Sequence, residues 1–73
     1  MKLYLLQRLD DGPYPLTAMI VRAHNRDDAR KLADAVQEET SGQQANDWLD
    51  PTLTTCEEIG QALQIEPGLV IAR

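Results

Sequence analysis

Any chemistry in this chain of 73 residues has to come from one histidine, one cysteine and twelve acids. His24 is the only imidazole and so the only natural general base near neutral pH. No Ser, Cys or carboxylate stands at a diagnostic spacing from it, and it falls between two predicted elements, where a surface histidine is ordinary. Cys56 is flanked by Glu57 and Glu58. A reactive thiolate needs positive surroundings, so Cys56 is expected to be a small buried hydrophobe rather than a nucleophile. One cysteine makes no intrachain disulfide. One Cys and one His do not make a structural zinc site without carboxylates or a second chain. Glu57-Glu58, if on a strand, point to opposite faces and cannot easily share a proton. Asp10-Asp11 precede Gly12-Pro13, where Asp is expected for its turn hydrogen bonds. Neither pair resembles an EF-hand, and the glycines form no phosphate-cradling loop. The expectation is no catalytic residue, no metal site and no cofactor.

The acids matter more by their distribution. Between Lys31 and Arg73 there is no Lys or Arg, and the stretch holds Asp34, Glu38, Glu39, Asp47, Asp50, Glu57, Glu58 and Glu66. The basic residues Lys2, Arg8, Arg22, Arg26, Arg30 and Lys31 all fall before it. A net charge of -5 disfavours DNA, RNA and anionic lipid, which all require positive surface. It favours a partner with a basic surface, and these eight acids are the candidate contacts.

The elements that would position these residues fit one small domain over residues 1–73. Residues 2–9 are Leu-rich and end at a Gly-Pro turn, which predicts a strand with Tyr14 in the loop beyond it. In residues 18–24, Met19, Val21 and Ala23 share one face at period 2, predicting a second, antiparallel strand. Asn25 caps a helix over about 26–39, with Asp27 and Asp28 in its first turn. Ala29, Leu32, Ala33 and Val36 form its apolar stripe, and Leu32 and Val36 are expected to pack on the sheet beside Trp48. Residues 40–47 read as a polar loop, after which Trp48 and Leu49 return to the core and Asp50-Pro51 turns the chain. Residues 52–59 support two readings. Three threonines and Ile59 favour a strand, whereas Asp50 as cap, Pro51, and the spacing of Leu53, Cys56 and Ile59 suit a helix. The strand is preferred. A turn over 64–68 leads to a terminal strand over 69–72. The expected fold is α+β, in the order β-β-α-β-β: a four-stranded antiparallel sheet with one helix packed on one face. No apolar run reaches the length of a membrane span or a signal peptide, and the lone cysteine suits a reducing compartment, so a cytoplasmic protein is expected.

Several segments carry a resemblance: Lys2-Leu3-Tyr4-Leu5, Asp10-Asp11, Val21-Arg22-Ala23, Asp28-Ala29-Arg30, Trp48-Leu49-Asp50-Pro51, Thr55-Cys56-Glu57-Glu58-Ile59 and Gly68-Leu69-Val70-Ile71-Ala72. Together they resemble a family of very short proteins of phages and prophages. Some small acidic phage proteins are anti-CRISPRs, which occupy the DNA-binding surface of a defence complex. The resemblance therefore implies a non-enzymatic inhibitor whose acids mimic nucleic-acid phosphates on a basic surface, such as that of a CRISPR–Cas complex, with no direct nucleic-acid or membrane partner. The alternative is a small assembly protein, monomeric or homodimeric in isolation, that associates through its sheet edge or apolar sheet face.

Overall fold

The computed structural model describes residues 1–10, 12–42 and 46–73. Asp11 and the middle of the predicted polar loop, residues 43–45, lie outside the described residues. Strand β1 (Lys2–Arg8) pairs antiparallel with β2 (Ala18–Ala23), helix α1 covers Arg26–Ser41, and a single 3-10 turn covers Asp47–Leu49. Strands β3 (Thr54–Gln61) and β4 (Gly68–Ala72) complete one sheet in the order β3-β1-β2-β4. Every neighbouring pair is antiparallel, as the sequence predicts. The ambiguous segment is a strand from Thr54 onward, because Asp50 is spent on a turn rather than a helix cap. Its backbone carbonyl accepts from both Leu53 and Thr54.

Two consequences of strand order shape the molecule. β2 and β3 both run antiparallel to β1, so they are parallel to each other and need a long crossover, which α1 provides. β3 and β4 form opposite edges, so residues 62–67 must pass the ends of β1 and β2 to connect them. That gap is about 14 Å at ordinary strand spacing. The connector is tied down at Met1, through paired backbone bonds with Ala62 of 2.8 and 3.2 Å, and at Arg22, whose Nε donates to the Glu66 carbonyl at 3.1 Å. Stretched across strand ends, it has no core to enter. Leu63 is 100% exposed and Ile65 84%.

The helix begins where Asn25 accepts the Asp28 amide at 2.8 Å and ends at Gly42, whose φ of 70° is the left-handed cap that closes helices. It runs two residues past the predicted end because no breaker precedes that glycine. Its buried residues are Ala29, Ala33 and Gln37, while Leu32 and Val36 are only partly buried against the core. Leu32 and Val36 thus pack against the core as expected, but the helix residues fully enclosed are Ala29, Ala33 and Gln37, and the two alanines let the helix approach the sheet closely. The sheet contributes Tyr4, Leu6, Met19, Val21 and Ala23 to the core, and Trp48 is fully buried. Leu49 departs from expectation at 41% exposure, since the short 3-10 turn carries only Trp48 inward. Cys56 departs too, being half-buried at the β3 edge rather than fully enclosed.

Candidate functional site

Two of the arginines, Arg8 and Arg30, tie elements of the fold together. The Arg8 side chain is only 3% exposed and donates to Asp47 Oδ2 at 2.8 Å and, through Nε, to the Leu16 carbonyl at 3.0 Å. Its guanidinium lies 3.7 Å from the Tyr14 ring centroid and 5.1 Å from that of Trp48, a stacked environment suited to Arg. Arg30 reaches from α1 to the Trp48 carbonyl and to the hydroxyl and carbonyl of Thr54. Thr54 is fully buried, and its hydroxyl proton is shared between the carbonyls of Asp47 and Asp50 at 3.1 Å each. Trp48 Nε1 donates to Gln37 Oε1 at 3.2 Å, so the buried glutamine has its partner. Among the described residues no buried side-chain nitrogen or oxygen lacks a hydrogen bond. The signal available in sequence was the position of Arg8 at a strand end and of Arg30 one residue from the buried Ala29.

Several of the eight acids are thereby engaged. Asp47 neutralises Arg8. Asp50 accepts from the Thr52 hydroxyl at 2.6 Å and amide at 2.8 Å, and these bonds hold its carboxyl below the ordinary value. Glu58 is 3.4 Å from Lys2 in an exposed pair. Glu57 opposes Leu5 in the ladder while Glu58 opposes Tyr4, so the two glutamates point to opposite faces of the sheet. Asp34, Glu38 and Glu39 remain on α1, whose last turn has no basic residue, and Glu66 sits in the exposed connector. The helix acids and Glu57 thus occupy opposite sides of the domain.

The remaining chemistry-bearing residues stand apart. His24 is exposed just after β2. Burial pushes the Cys56 thiol up, partly offset by Arg30 and Arg26. Tyr14 donates to Asp10 Oδ2 at 2.7 Å, and that bond raises its phenol above the ordinary value. Among the described residues no group of three or more His, Cys, Asp or Glu is placed to hold a metal.

The sheet face away from α1 has a different character. Residues that alternate with the buried Tyr4, Leu6, Met19 and Val21 point there, and ladder partners share a face. Glu57, Leu5, Ile20 and Ile71 form one row, the acid at its β3 end, with Leu3 and Arg22 in the next. The Arg22 guanidinium lies across Gly68, where an added Cβ would stand 2.8 Å from Nη2, so a larger residue there would displace the Arg22 side chain. Leu5, Gln7, Ala18, Ile20, Ile71 and Arg73 line a hollow of about 400 Å³ at one end. Leu63, Ile65, Glu66 and Arg22 line another, of about 340 Å³, at the opposite end. Nine large hydrophobic side chains are at least 40% exposed among the described residues, and six fall between Ile59 and Ile71. Of these six, Ile71 belongs to the open-face row, whereas Leu69 opposes the buried Val21 on the α1 side and Leu63 and Ile65 lie in the connector. The Leu-rich run of β1 shows in sequence that both its faces carry aliphatic groups, but not that Ile20 and Ile71 align with Leu5 across the sheet.

Comparison with known proteins gives no matching family model, no matching curated protein and no matching solved structure. No helix among the described residues is long and apolar enough to cross a membrane.

Proposed function

We propose that this chain is a non-catalytic protein–protein interaction module that works through the open face of its sheet. The observation that carries this reading is the run of Leu5, Ile20 and Ile71, bounded by Glu57 at the β3 edge and with Leu3 beside it, on the face away from α1. An antiparallel sheet that meets water on one side ordinarily carries polar residues there, because each exposed aliphatic group forgoes burial. The half-buried Cys56, whose thiol burial pushes up despite Arg30 and Arg26, and the exposed His24 support a non-enzymatic role, and the lone cysteine supports the cytoplasm as its place of work.

A second reading draws on Asp34, Glu38 and Glu39. These acids lie toward the end of a helix with no basic residue in its last turn, so they present negative charge to a basic partner. This is the phage-type inhibitor reading, in which carboxylates stand in for phosphates on a host defence complex.

Site-specific photo-crosslinking separates the two. A photoreactive residue replacing Ile20, compared with one replacing Glu38, is expected to capture protein from the Ile20 position and little from the Glu38 position. The reverse pattern supports the acidic helix and contradicts the open-face reading.

A further inference from the structure

We infer that the occupant of the open sheet face is a second copy of this chain, packed with its strands reversed so that the Leu63–Ile65 segment of each protomer lies in the apolar hollow of the other. The inference rests on the open face being the working surface. It starts from two complementary features at opposite ends of that face. At the end where β1 begins, the connector projects Leu63 and Ile65, 100% and 84% exposed, beside Arg22. At the other end lies the hollow of about 400 Å³ formed by Leu5, Ala18, Ile20, Ile71 and their neighbours.

A two-fold axis lying in the plane of the face, perpendicular to the strands, exchanges these ends. One operation then seats both projections in both hollows, as a closed isologous interface requires. At the two ends of the face, charge follows the same arrangement, while Glu57 stays at the exposed β3 edge. Glu66 adjoins Ile65 at the projecting end, and Arg73 lines the hollow at the other, so the exchange brings each Glu66 toward the Arg73 of the second copy. The edges offer a weaker route. Both ladders to the outer strands carry a register shift, between Leu3 and Tyr4 on the β3 side and between Ile20 and Val21 on the β4 side. Bulges of this kind twist an edge away from strand addition, which leaves the face as the better self-association surface.

The test is sedimentation equilibrium of the purified chain across a concentration series. A monomer–dimer equilibrium is expected. Changing Leu63→Asp and Ile65→Asp together is expected to raise the dissociation constant by roughly tenfold or more. Far-ultraviolet circular dichroism should be unchanged, since neither side chain contributes to the core. Glu66→Arg or Arg73→Glu alone should weaken the dimer about two- to fivefold, and the two combined should restore it. A chain monomeric at every concentration overturns the inference. So does a dimer that the Leu63 and Ile65 substitutions leave intact, or one that the combined charge exchange fails to restore. Crosslinks from Ile20 to a different protein, with a monomeric chain, overturn the second copy but leave the open-face reading standing. Absence of crosslinks from Ile20 removes both.

Discussion

Replacing Asp47 by Ala should destabilise the domain far more than replacing any acid on the outer side of α1. The substitution strands Arg8, whose side chain is 3% exposed and whose Nη1 donates to Asp47 at 2.8 Å. Breaking a fully buried ion pair from one side costs about 3–5 kcal/mol, because the remaining charge is left uncompensated. Here the cost is lower. Asp47 is 26% exposed, and Arg8 keeps its bond to the Leu16 carbonyl and its stacking on Tyr14. A charge-assisted hydrogen bond contributes about 1.5–3 kcal/mol, and about 2–3 kcal/mol is the expected loss. A domain of this length has a total stability of about 4–11 kcal/mol, so the variant should lose a substantial fraction of it. Trp48, the only tryptophan and fully buried, reports unfolding in urea by fluorescence. Glu38→Ala and Glu39→Ala serve as controls and should shift stability by no more than about 0.5 kcal/mol. An Asp47→Ala variant that matches these controls would show that the Arg8 pair does not hold the 3-10 turn to the sheet, and Asp47 would return to the candidate contacts.

Gln37→Leu should cost about 1–3 kcal/mol in the same assay, because it leaves the buried Trp48 indole N–H without its acceptor. Asp50 supplies a pH dependence. Its folded pKa is lowered by the Thr52 bonds, so its stabilising contribution is present above the unfolded carboxylate value and is lost as pH falls through the folded one. The stability gap between the wild-type chain and Asp50→Ala should therefore shrink between about pH 7 and about pH 3. Cys56, its thiol raised by burial, should alkylate more slowly at neutral pH than a free thiol and reach the free-thiol rate in denaturant.

Much of the fold was legible because local signals agreed. Asn25 bonds the Asp28 amide as a cap should, Gly42 ends the helix, and Met19, Val21 and Ala23 alternate inward on β2. The order of strands in the sheet was not legible, because the crossover that sends β3 to one edge depends on long-range pairing. Neither were Leu63 and Ile65, whose exposure follows from that order: the connector between opposite edges passes the strand ends, away from the core. The charge pattern drew attention to eight acids as one group. Their distribution depends on which face each strand residue takes and which arginine lies inside, and sequence spacing specifies neither across elements. Arg8 shows the difficulty: in sequence it is one more cation, yet it is nearly enclosed between Tyr14, Trp48 and Asp47.

The central claim is that the open face of the sheet, and not the acidic side of α1, is what this chain covers when it works. Methyl nuclear magnetic resonance with a soluble paramagnetic relaxation agent tests it most directly, by comparing dilute with concentrated protein. Methyl groups of Leu3, Leu5, Ile20 and Ile71 should lose accessibility to the agent as concentration rises, together with those of Leu63 and Ile65. The methyl of Ala35, exposed on α1, should stay equally accessible throughout. Unchanged relaxation of the open-face methyls at every concentration, or protection centred on Ala35 instead, would contradict the account.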